Sequence, residues 1–131
     1  MREIKFRGKR LDNGEWLYGS LVILNGRYFI FDYANEVDPT TVGEFTGLKD
    51  RNGKEVYEGD IIRFSNPYLI ISQGKQSFGM VKYYDALAGF ALYNSSEDKF
   101  PMECDWLKID GSTKVFGNIH DNPEFLKGGE Q

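Results

Sequence analysis

The chain has 131 residues and a formal net charge of −4, with 16 basic against 20 acidic side chains. That length suits one domain with a real core, and the acidity argues against a dedicated nucleic-acid binder. A single cysteine, Cys104, excludes an intrachain disulfide, and no apolar run is long enough to span a bilayer as a helix.

Aromatic residues make up 15% of the chain, and 15 glycines stand against 4 prolines. Aromatics fit half-buried pleated surfaces and glycines fit tight turns, so the composition leans toward β structure. The basic N-terminus is not followed by an apolar segment. It does not read as a signal peptide, and the expected location is the cytoplasm.

Ile4 to Leu11 alternates, with Ile4, Phe6 and Gly8 on one face and Lys5, Arg7 and Lys9 on the other. This is the pattern of a strand with one wet side. Asp12-Asn13-Gly14 turns the chain, Glu15 to Leu24 reads as a second strand, Asn25-Gly26 turns it again, and Arg27 to Phe31 is a third. Three strands joined by Asn-Gly turns predict an N-terminal β-meander over residues 1–36. Asp38-Pro39-Thr40-Thr41 predicts one helical turn, capped by Asp38 with proline at the first helical position.

The densest turn chemistry lies in Glu44 to Phe64, EFTGLKDRNGKEVYEGDIIRF. Asn52-Gly53 is expected to form a two-residue hairpin loop, since both residues tolerate positive φ. Gly59-Asp60 is expected to turn a sharp corner before Ile61-Ile62-Arg63-Phe64. There the glycine permits the bend and the carboxylate accepts backbone N–H groups. Asn52, Gly53, Gly59 and Asp60 are therefore structural turn residues.

Further on, Tyr68 to Ile71 reads as a short strand. Phe78–Tyr84 and Gly89–Tyr93 form a hairpin pair joined through Asp85–Ala88. Trp106 and Leu107 are expected in the core, and Lys114 to Ile119 is the last strand. Asp121 to Leu126 reads as a capped helical turn, and residues 128–131 as a frayed tail.

Residues able to do chemistry are few. His120, the single histidine, precedes the Asp121-Asn122-Pro123 turn and reads as a surface or capping residue. Cys104 lies between Glu103 and Asp105, whose charges disfavour a thiolate, so it reads as a small buried hydrophobe. The carboxylate pairs Glu97/Asp98 and Glu103/Asp105 have nothing to place them in a cleft. Residues Gly74 to Gly79 lack phosphate-loop spacing. No catalytic residue, cofactor or metal site is expected, and the chain does not read as an enzyme.

One feature rises above this background. Residues 1–10 hold five cations against one acid. Lys5, Arg7, Lys9 and Arg10 are candidate partner contacts, for an acidic protein or for nucleic acid, with Tyr18, Tyr28 and Tyr33 on neighbouring segments as stacking surfaces. The plainer alternative is a solvated strand face balanced by acids across the sheet.

The phrases IKFRGKR, NGEWLYGSL, VGEFTGLKDRNGKEVYEGDII and VFGNIHDNPEFL resemble the YopX-like family of phage and prophage proteins. The resemblance covers nearly the whole chain as a single domain. It implies a mainly β fold with an SH3-like small β-barrel over residues 37–127, and it brings no activity or ligand role. The expectation is a phage- or prophage-encoded accessory protein, non-catalytic, binding a protein or its own copies as a homo-oligomer. The alternative is a weak nucleic-acid-binding small barrel using the basic strand.

Overall fold

A computed structural model describes residues 3–64, 77–94, 98–101, 107–109 and 113–124. The chain groups into two compact units, Met1–Gly47 and Leu48–Gln131. Among the described residues it is mainly β, arranged in antiparallel sheets. None of them closes into a barrel. No helix among the described residues is long and apolar enough to cross a membrane.

The first unit opens with the hairpin of β1 (Phe6–Lys9) and β2 (Trp16–Gly19), paired Phe6↔Gly19 through Lys9↔Trp16. A second hairpin joins β3 (Leu21–Leu24) to β4 (Arg27–Ile30), with β5 (Glu36–Val37) on the far side of β4. Asn25 and Gly26 both take positive φ, 53° and 75°. That is the type I′ geometry whose twist matches the strands it joins. The 3-10 turn Pro39–Thr41 forms as its sequence predicts, with the Asp38 carboxylate accepting the Thr40 N–H. It leads into β6 (Gly43–Lys49), which pairs with β1 at Phe6↔Glu44 and Arg7↔Gly43. The fully buried Ile30 and Val37 form the centre of this unit.

Glu15–Leu24 is thus not one strand of a three-stranded meander. It splits after Gly19, and its halves pair in different sheets. The cause is local packing. The Phe31 ring lies against Gly19, where a Cβ would sit 2.7 Å from Phe31 Cζ, and Gly19 takes φ +155°. Phe31 itself has φ 71°, a rare conformation for a bulky residue, and its N–H donates to the Ser20 carbonyl at 3.0 Å. Ile4, expected on the inner face, is 68% exposed.

In the second unit β7 (Glu55–Tyr57) follows the Asp50–Lys54 turn. Strands β8 (Asp60–Phe64), β9 (Ser77–Tyr84), β10 (Gly89–Tyr93) and β11 (Lys114–Asn118) then form an antiparallel sheet in the order β10-β9-β8-β11. The hairpin between β9 and β10 forms as the sequence predicts, closed by the 3-10 turn Asp85–Leu87. Val56, Ile62, Val81, Phe90, Leu107 and Val115 make one buried cluster, and Met80, Ala91 and Tyr93 a second. The expected strand at Tyr68–Ile71 lies outside the described residues, as do Cys104 and Trp106. Of the C-terminal helical turn, residues 125 and 126 lie outside them as well.

Candidate interaction surface

The Glu44–Phe64 stretch does structural work in the second unit. Asp50 is buried, and its Oδ1 accepts the N–H groups of Asn52 at 2.8 Å and Lys54 at 2.9 Å while Oδ2 accepts Val115 N–H at 2.9 Å. Burial alone would raise the Asp50 carboxyl. The backbone donors of Val115, Lys54 and Asn52 outweigh it and hold the group below the ordinary carboxylate value.

The Asn52-Gly53 loop has three residues, not two. Asp50 N–H donates to the Lys54 carbonyl, Gly53 N–H donates to the Asp50 carbonyl, and only Gly53 of the pair takes positive φ, 81°. Asp50 explains the difference, because its carboxylate holds the Asn52 N–H and fixes a wider turn with glycine in the left-handed position.

At the Tyr57–Asp60 corner Gly59 takes φ 89°, donates to the Val81 carbonyl at 2.8 Å and accepts from Ile119 N–H at 2.9 Å. Asp60 is buried and its Oδ2 accepts Tyr57 N–H at 2.7 Å. Glu58 reaches β9, where its Oε2 accepts Tyr83 N–H at 3.2 Å. Both carboxylates of the motif therefore accept backbone N–H groups, Asp60 inside the corner and Glu58 on β9.

In the first unit the alternation on β1 places Arg7 and Lys9 on one face, where Tyr18 and Trp16 stand opposite them in register. The cations lie on rings. The Arg7 guanidinium is 4.7 Å from the Trp16 ring centroid, Lys9 Nζ is 5.4 Å from the same ring, and Lys5 Nζ is 5.1 Å from the Phe45 ring. Arg7 is only 5% exposed, so this member of the stripe belongs to the interior.

Arg10 turns elsewhere. Its Nε and Nη2 fork onto the two oxygens of Asp12, each at 2.9 Å, and its Nη1 donates to Asn35 Oδ1. That hydrogen bonding raises the Arg10 pKa and lowers that of Asp12. Lys5, Lys9 and Arg10 are half-buried and keep part of their surface toward solvent, with Arg10 committed to Asp12 and Asn35. Among the candidate stacking residues, Tyr18 and Tyr33 are exposed; Tyr33 makes an edge contact with buried Phe29 at 5.3 Å between centroids.

A second surface in the same unit escaped the reading of charge and motif. Strand β3, Leu-Val-Ile-Leu, is the edge of the β3-β4-β5 sheet, and Ile23 and Leu24 are 55% and 48% exposed. Phe31 is also exposed in this unit. An uncharged apolar run with no proline, set on a sheet edge, is the signal that could have found it.

The remaining candidates for chemistry do not gather. His120 is half-buried, and its N–H donates to Asn118 Oδ1 in the turn after β11. Among the described residues no group of three or more His, Cys, Asp and Glu is placed to hold a metal ion.

The YopX protein family model matches residues 5–127, and the chain belongs to that family. The crystal structure of protein EF1440 from Enterococcus faecalis is similar over 96% of this chain and 99% of that one, with 24% identity and a TM-score of 0.55, and it carries the same fold. Comparison with curated proteins finds no match.

Proposed function

We propose that the protein is a phage- or prophage-encoded accessory module that binds protein, its own copies included, and does no catalysis. The observation that carries this reading is the apolar edge of the first unit, where Ile23 and Leu24 present large apolar side chains beside an open strand. Such edges are the parts of a sheet that other chains cover. The phage setting rests on family resemblance, as does the finer description of residues 37–127 as SH3-like, with sheets that stay open among the described residues. In the cytoplasm of the host cell the module would work as a homo-oligomer, without cofactor or membrane.

A nucleic-acid-binding role for the basic strand is the second reading, favoured by the Lys9–Trp16–Arg7 stack and the exposed Tyr18. Two measurements separate the readings. Sedimentation velocity across a concentration series is expected to show reversible self-association. Titration of fluorescent single-stranded and duplex oligonucleotides at low and at physiological salt is expected to show negligible binding. Binding that falls steeply with salt, from a protein that stays monomeric, would reverse the order of the two readings.

A further inference from the structure

We infer that β3 is the self-association site, and that two copies join by pairing their β3 strands antiparallel about a two-fold axis at Val22. The inference rests on the self-association reading and gives it residues and a register.

Strands β3 and β4 pair Leu21↔Ile30, Val22↔Phe29, Ile23↔Tyr28 and Leu24↔Arg27, and Phe31 N–H donates to the Ser20 carbonyl. Bonded and non-bonded pairs alternate along an antiparallel ladder. Ser20↔Phe31 is bonded, so Val22↔Phe29 and Leu24↔Arg27 are bonded too. The N–H and C=O groups of Leu21 and Ile23 therefore point away from β4, and among the described residues no strand pairs with β3 on that side.

A second β3 satisfies this edge. With the two-fold at Val22, Leu21 of each copy exchanges hydrogen bonds with Ile23 of the other, which gives four bonds. Val22 meets its own counterpart as a non-bonded pair, roughly 4.5 Å between Cα atoms. The edge residues carry no charge that self-pairing would set against itself, and isologous contacts of this kind close as dimers. The hairpin charges do not oppose it, because Arg27 is already forked onto Glu36 at 3.0 and 2.6 Å. Another edge of this unit, β2, fits a second copy less well, because Trp16 there lies against Arg7 and Lys9 and a two-fold would bring two such clusters together.

The test uses charge at the two-fold. Val22→Lys and Val22→Glu are prepared separately and weighed by light scattering at a concentration where the unaltered protein is a dimer of its 15.0 kDa chain. Each variant alone is expected to be monomeric, because like charges directly opposite repel. An equimolar mixture is expected to return to dimer mass. Ile23→Pro removes only an outward N–H, so it should also give a monomer, with an unchanged far-ultraviolet circular dichroism spectrum. An unaltered protein that remains monomeric at high micromolar concentration overturns both this inference and the self-association reading. A dimer that survives in both charge variants and in Ile23→Pro overturns the β3 assignment alone.

Discussion

The carboxylate of Asp50 accepts the backbone N–H of Val115 at 2.9 Å, joining two positions 65 apart in the sequence. The same carboxylate holds the Asn52 and Lys54 N–H groups of the turn before β7. One side chain thereby fixes a hairpin turn and ties it to the last strand of the sheet.

Asp50→Ala should destabilise the second unit by about 3 kcal/mol, because buried donors left without an acceptor each cost about 1–3 kcal/mol. Urea denaturation followed by fluorescence measures this. A loss under 1 kcal/mol would show that water replaces the carboxylate at little cost.

The pH dependence follows from the same group. The Asp50 carboxyl lies below the ordinary carboxylate value in the folded protein. A carboxylate with a depressed folded pKa contributes stability that is fully present above its unfolded value and is lost as pH falls through the folded one. The melting temperature should therefore drop below about pH 4. Asp50→Asn should lower stability at pH 6 and flatten the acid limb between pH 4 and pH 2.5. Parallel acid limbs in the two proteins would assign the loss to other groups.

Gly8 of β1 has no room for a side chain, since an added Cβ would lie 2.9 Å from Val37 Cγ2 and 3.3 Å from Val42 Cγ2. Val37 is fully buried and cannot swing clear. Gly8→Ala should cost about 1–3 kcal/mol, the usual penalty for overpacking a tight core. Chemical denaturation is the measurement, and a neutral substitution would mean that β1 shifts away from β5 without loss.

The cations of β1 should separate by burial. Arg7→Glu places a carboxylate in an interior site shaped for a guanidinium over Trp16, and it should cost about 2–4 kcal/mol. Lys5→Glu and Lys9→Glu each lose a cation–π contact at a partly solvated position and should cost about 0–1 kcal/mol. Thermal melts of the three single variants test the order. Equal costs would mean that the stripe acts as one solvated face.

Much of this fold was legible in the residues because its turns are local. Asn25-Gly26 and the Asp38-Pro39 cap carry their conformations in their own chemistry, and both form where the sequence places them. What stayed hidden depends on partners far along the chain. The break after Gly19 needs the ring of Phe31, and the width of the Asn52-Gly53 loop needs the carboxylate of Asp50. The burial of Arg7 was hidden for a related reason, since alternation separates the faces of a strand but does not say which face another element covers. The apolar edge was overlooked because Glu15–Leu24 read as one continuous strand, which made Leu21–Leu24 an interior segment of a meander.

The 65-position span between Asp50 and Val115 also orders events on the ribosome. Strands β1 to β6 have all been synthesised by Lys49, whereas β8 must wait for β11, more than fifty residues later, before both its neighbours exist. Until then Ile62 lacks the Val115 strand beside it, and Asp50 holds only its own turn. A nascent chain that stalls before residue 114 would therefore display an unfinished sheet for as long as the stall lasts, which makes that interval the time when the protein most needs a chaperone.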